Sequence, residues 1–227
     1  HCQTGQMDEI MQGRVEELTE LFEGEEEMSD DTVTELLKVL LDMLEQQTTA
    51  RSSSLLKESS TNEQLIKILE CLQVLVSTRM TSIDQKTAGG EWGMMSVVEV
   101  MTNTLLTEKV RASACEVVNA LIAGCPENVQ RLLKLVSKEF FIVAMSQTSD
   151  FHHQEILCEV MWRVARKGTT VNDLKSLLMG QVQLATCFKS IRSSQSSFSR
   201  DMKCFLAEFN RGIEKEHRRV NPMIVLE

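Results

Sequence analysis

The chain has 227 residues, of which 42% are hydrophobic, 25% charged and 4% aromatic, with two prolines, ten glycines and no tyrosine. Such a length can bury a sizeable core, and an ordinary apolar fraction spread along the chain excludes wholesale disorder. The formal charge is −9 but unevenly placed: residues 1–50 hold 14 Asp and Glu against 2 Lys and Arg, and the remainder 19 against 22. The overall acidity argues against general nucleic-acid binding, which asks for a strongly basic face, and the confinement of the acidic excess to the first fifty residues leaves a small basic C-terminal surface possible.

Few turn formers and few aromatics argue against an all-β sandwich. Thirteen methionines and many leucines favour helix, where unbranched side chains lose little rotamer freedom. No apolar run approaches the roughly 20 residues of a membrane span. Residues 1–8 carry neither a basic nor an apolar leader pattern, so no signal peptide is read there. The seven cysteines (Cys2, Cys71, Cys115, Cys125, Cys158, Cys187 and Cys204) are odd in number and mostly lie within apolar helical patterns. They are expected to be buried, reduced thiols of a cytosolic or nuclear protein.

In chain order, Ile10, Val15, Leu18 and Leu21–Phe22 predict a first helix over about 7–22. Ser29-Asp30-Asp31 then offers an N-cap and first-turn acids, and Val33, Leu36, Leu37, Leu40, Leu41 and Leu44 predict a helix to about Gln47. The Ser/Thr-rich stretch 48–62 reads as a flexible loop. A helix through Leu65, Ile68, Leu69, Leu72, Leu75 and Val76 follows. Thr87–Gly93, with Gly89, Gly90 and Gly93 around Trp92, reads as a loop between helices, with Trp92 as a packing anchor. Helices are expected over 94–106 and about 109–123. Gly124-Cys125-Pro126 stops one helix and starts the next. Asp150 is expected to cap a helix through Ile156, Leu157, Val160, Met161 and Val164, and His152 and His153 to lie exposed in its first turn. Shorter helices over 172–179 and 182–192 precede a last one carrying Phe205 and Phe209.

The predicted fold is thus all-α, with about ten helices over 1–227 as a single domain. Units of roughly 40 residues are the spacing of armadillo- or HEAT-like repeats, stacked as a right-handed α-solenoid. A compact helical bundle is the rival arrangement.

No catalytic set emerges. The three clustered glycines lack the preceding strand and the Lys-Ser/Thr ending of a phosphate loop. His153 and Cys158 are five residues apart, on different helix faces, and no second metal-binding pair accompanies them. No cysteine lies in a nucleophile turn. The chain therefore reads as non-enzymatic, without cofactor or small-molecule substrate. The one charged constellation of interest is basic: Lys203, Arg211, Lys215, Arg218 and Arg219, of which Arg211, Lys215 and Arg218 share a helical face. An acidic peptide or a phosphate backbone could dock there. The alternative is a helix C-terminus carrying favourable cations, with Glu208, Glu214 and Glu216 interleaved.

Three segments carry a resemblance. The first runs from Ile10-Met11-Gln12-Gly13-Arg14-Val15 to Leu21-Phe22-Glu23. The second is Asp150-Phe151-x-x-Gln154, continuing to Glu159 and Arg163. The third is Phe188-Lys189-x-Ile191 followed by Phe198, Asp201, Phe205-Leu206, Asn210, Arg218-Arg219-Val220 and Pro222. In order and spacing they resemble the N-terminal armadillo-like region of the synaptonemal complex protein 2 family, with Trp162 standing where that family has Cys. The resemblance implies a helical domain in the nucleus on meiotic chromosome axes, whose partners are axis proteins, followed in the family by a β domain. It marks Asp150, Phe151, Gln154, Phe188, Phe198, Asp201, Phe205, Leu206 and Asn210 as structural positions. Direct DNA or chromatin contact through the basic C-terminal set, and a general cytosolic adaptor, are the competing readings.

Overall fold

The structure is a computed structural model. It describes residues 13, 17–18, 28–53, 58–165, 171–178, 180–192 and 195–220, with side chains described within these ranges except at 50–53, 58–61, 171, 195–196 and 214–220. The helix expected over 7–22 lies almost wholly outside the described residues. All regular structure among the described residues is helical, as expected. The chain divides into two compact units, 1–135 and 136–227.

The first unit begins with α1 (Asp30–Ser53). The Ser29 hydroxyl accepts from the Thr32 amide at 3.2 Å, and Asp30 and Asp31 stand in the positive first turn. Val33, Leu37, Leu40, Leu41 and Leu44 are buried along one face. The helix runs past Gln47, so the expected loop over 48–62 is helical to Ser53 and again from Glu58; 54–57 lie outside the described residues. One reason is local. The Thr48 hydroxyl donates back to the carbonyls of Leu44 and Glu45, at 3.0 and 2.9 Å, rather than competing for the chain in an open turn. Helix α2 (Glu58–Val74) passes into a π-helical turn, Leu75–Arg79, that buries Leu75 and Val76.

Helix α3 (Ile83–Thr102) corrects the largest expectation. The Gly89-Gly90-Gly93 segment is not a loop but lies inside this helix, with all three glycines buried. Ser82 and Gln85 form a reciprocal capping box at 3.1 Å in each direction, which starts the helix well before the glycines. The glycines instead let neighbours approach. A Cβ at Gly93 would stand 2.6 Å from Leu41 Cδ2. One at Gly89 would meet Met80 Cε at 2.7 Å and Leu37 Cδ2 at 3.4 Å. Leu37 and Leu41 of α1 thus ride along the Gly89 and Gly93 side of α3, the two helices running in the same direction.

Helix α4 (Glu108–Ile122) packs against α3 and α2. It is stopped at Gly124, whose φ of 75° suits glycine, and α5 (Pro126–Leu135) starts at the proline, as the sequence predicts. Asn128 of α5 is fully buried against Gly90, where any Cβ would overlap its side-chain amide. Its Nδ2 donates to the carbonyls of Lys86 (2.7 Å) and Leu121 (2.9 Å), and its Oδ1 accepts from Arg131 Nη1 (3.0 Å). Arg131 also donates to the Thr87 carbonyl at 3.2 Å, and Lys86 Nζ to that of Ala123 at 3.1 Å. One amide therefore ties α3, α4 and α5 together with its hydrogen-bonding groups satisfied.

The second unit holds α6 (Lys138–Gln147), α7 (Phe151–Ala165), α8 (Val171–Leu177), α9 (Val182–Lys189) and α10 (Gln195–Val220). Gly180, with φ 76°, makes the turn between α8 and α9. Helix α7 packs on α6 and α10, and α9 on α8 and α10.

Asn128→Asp would replace the donor facing two buried carbonyls with a third acceptor. We predict a loss of about 3 kcal/mol or more of unfolding free energy for the first unit, measured by urea denaturation; a change within about 0.5 kcal/mol, the usual range of surface substitutions, would contradict the assignment.

Candidate interaction surfaces

Cys71, Cys115, Cys125 and Cys158 are buried, Cys187 is half-buried and Cys204 exposed; Cys2 lies outside the described residues. Burial, reinforced by Glu159 and Glu155, pushes the Cys158 thiol far above its ordinary range. Burial also raises Cys187, followed by the charge of Glu208. His152 is exposed as expected, but His153 is buried, and its Nδ1 lies 3.3 Å from the Thr148 hydroxyl. The reason is helical phase: His153 shares the inward face with Leu157 and Val160. Among the described residues no group of three or more His, Cys, Asp or Glu could hold a metal ion. No described helix is long and apolar enough to cross a membrane.

The positions marked by the resemblance mostly converge in the second unit. Asp150 caps α7, its Oδ1 accepting from the His152 amide at 2.8 Å. Gln154 and Asn210 exchange side-chain hydrogen bonds at 3.1 and 2.9 Å, joining α7 to α10 across 56 residues of chain. Gln154 Nε2 also donates to the Met145 carbonyl at 2.9 Å. Phe188 of α9 meets Phe205 edge-on at 5.1 Å, Phe205 lies 5.8 Å from Phe209, and Leu206 is fully buried beside them. Trp162 packs edge-on against Phe198 at 4.8 Å and donates to the Ile191 carbonyl at 3.3 Å. Phe151 is the exception, exposed at the start of α7.

Asp201 accepts from the backbone amide and the guanidinium of Arg192, at 3.3 and 3.1 Å, and so holds the α9–α10 connection against α10. Arg200 adds a longer ion pair at 3.7 Å.

The basic set divides. Lys203 Nζ lies 3.6 Å from Glu155 Oε1, and Arg211 Nη1 lies 2.6 Å from Glu208 Oε1. Both cations therefore already have a carboxylate. Lys215, Arg218 and Arg219 belong to α10, but their side chains lie outside the described residues.

Sequence reasoning missed a different surface in the first unit. Trp92, expected as a packing anchor, is 44% exposed, and Met95, one turn on, is 62% exposed. Because Gly89, Gly90 and Gly93 occupy the inward faces of α3, Trp92 is turned outward. Lys38 of α1 stands over its ring, 4.8 Å from the centroid.

The hydrogen bond from Arg192, followed by its backbone amide and its charge, holds the Asp201 carboxyl below the ordinary aspartate range. A carboxyl with a lowered folded-state pKa adds stability above its unfolded value and loses it as pH falls through the folded value. We predict that Arg192→Gln moves the Asp201 carboxyl titration, followed by NMR, up toward the ordinary value. It should also weaken the acid dependence of the second unit's stability; an unmoved titration would contradict the pairing.

No protein-family model, no curated protein and no solved structure matches the chain.

Proposed function

We propose that the chain is a non-enzymatic protein-interaction scaffold of the meiotic chromosome axis, the lateral element of the synaptonemal complex. It acts in the nucleus and recruits axis partners through its helical surfaces. The observation that carries this reading is the convergence of the marked positions. Gln154 meets Asn210 between α7 and α10 and Phe188 meets Phe205 between α9 and α10, while Asp201 holds Arg192, a residue outside the marked set.

Within each unit we read the stacking as armadillo- or HEAT-like. In the first unit α1 packs on α2 and α3, α2 on α4, α3 on α4 and α5, and α4 on α5. In the second, α6 packs on α7 and α8, α8 on α9, and α9 on α10. The packed pairs named for the first unit lie one or two helices apart along the chain, which supports a solenoid-type stack in which each group buries its open face on the next; in the second unit α10 also returns onto α7, three helices back. Stacked helices of this kind leave outward faces suited to peptide or helix docking.

The reading is tested by expressing the tagged chain in spermatocytes, with crosslinking mass spectrometry on the same cells. The expected result is axial staining with crosslinks to axis proteins, and no retarded DNA band in a gel shift at low salt, where phosphate contacts are strongest. Diffuse cytosolic staining with crosslinks only to unrelated proteins would overturn it.

A further inference from the structure

Exposed apolar groups scattered singly over a surface are ordinary, but those on α3 are not scattered. Trp92 and Met95 stand one turn apart on one outward face. The Lys38–Trp92 contact joins that face to the outward face of α1, where Val39 is 41% exposed. The rim is acidic. Glu35 and Asp42 lie one turn to either side of Lys38 on α1, and Glu99 lies one turn beyond Met95 on α3. All three are exposed and form no ion pair among the described residues. Trp and Met are enriched at the centres of interfaces, and a ring already held by a cation loses less freedom on binding.

We propose that this face docks a cationic amphipathic helix of a partner protein. Two apolar anchors about one turn apart would cover Trp92 and Met95, and Lys or Arg on the flanks would meet Glu35, Asp42 and Glu99. Charge selects this occupant. Residues 1–28 of the chain itself carry nine Asp and Glu against one Arg, the same sign as the rim. A second copy would bring its own acidic first fifty residues, 14 Asp and Glu against 2 Lys and Arg, while its remaining residues carry 22 Lys and Arg against 19 Asp and Glu, so the oligomeric state separates it from a partner helix. Nucleic acid and anionic lipid are likewise repelled, whereas a cationic helix is attracted and oriented. The inference rests on the scaffold reading and deepens it by naming one surface and its partner class.

The test uses the full chain and two fluorescent helical peptides of about 18 residues, roughly 27 Å long. They share one apolar face; one is flanked by Lys, the other by Glu. Anisotropy titration should show binding of the Lys peptide only. Trp92→Ala should weaken it about tenfold or more, as expected of a central aromatic anchor. The triple variant Glu35→Gln, Asp42→Asn, Glu99→Gln should weaken it and flatten its salt dependence. Met95→Glu, at a position 62% exposed, repeats the test should Trp92→Ala fold poorly.

A Lys peptide that does not bind, or that binds Trp92→Ala as tightly as the parent, would overturn the proposal. So would a dimer in sedimentation equilibrium that Trp92→Ala dissolves, because the face would then belong to a second copy. Axis crosslinks that persist in Trp92→Ala, with no peptide binding to the parent, would sink this docking alone and leave the scaffold reading standing. Peptide binding through Trp92 without axial staining would overturn the scaffold reading instead.

Discussion

The first unit depends on how closely α5 can approach α3. Gly90 has no Cβ, and the space is filled by the amide of Asn128, which bonds to carbonyls of both α3 and α4. Glycine within a helix costs about 1 kcal/mol relative to alanine, so the trio at 89, 90 and 93 weakens α3 as an isolated helix. The cost is offset on three sides. Leu37 and Leu41 gain burial against Gly89 and Gly93, where a buried leucine contributes about 1.5–3 kcal/mol, and Asn128 gains its hydrogen bonds against Gly90. Helix α3 is therefore stable because of its neighbours and not because of its own propensity.

The same constraint determines which part of the surface is left apolar. With small residues turned toward α1, α4 and α5, the large side chains at 92 and 95 have only the outward face. The polar ties of Lys86, Asn128 and Arg131 hold α3 in that rotation, so Trp92 stays outside and meets Lys38. In the second unit the arrangement is more ordinary. Aromatic packing of Phe188, Phe205 and Phe209 supplies the core, and the Gln154–Asn210 and Asp201–Arg192 pairs set how α7 and α9 meet α10. The cations at 203 and 211 are absorbed into ion pairs, Lys203 with Glu155 of α7 and Arg211 with Glu208 one turn back, each between partly exposed side chains and each contributing little.

Much of this was legible in the sequence. The three- and four-residue spacing of Val33 to Leu44 matches the buried stripe of α1, Ser29 caps it, and Gly124-Cys125-Pro126 marks a true boundary. Several residues are ambiguous locally and take their meaning only from the helix around them. Gly89, Gly90 and Gly93 look like punctuation, yet their spacing is that of one helix side, and Ser82-x-x-Gln85 was the capping signal that should have outweighed them. The serines and threonines of 48–62 suggest a loop until Thr48 bonds to its own helix. His153 reads as a surface residue until its phase with Leu157 is followed inward. The outward Trp92 was unreadable for a deeper reason: its orientation is set by Leu41 and Asn128, which come from distant parts of the chain.

The central claim is that Gly90 and Asn128 act as one fitted pair. The most direct measurement is a double-mutant cycle of Gly90→Ala and Asn128→Ala on unfolding free energy. Asn128→Ala alone loses the carbonyl ties, and Gly90→Ala alone forces a methyl into the held amide, an overpacking of about 1–3 kcal/mol. With the amide gone the added methyl has room and brings the helix propensity of alanine. The account therefore predicts that Gly90→Ala becomes neutral or stabilising in the Asn128→Ala background, with a coupling of about 1–3 kcal/mol. Additive losses in the double variant would contradict it.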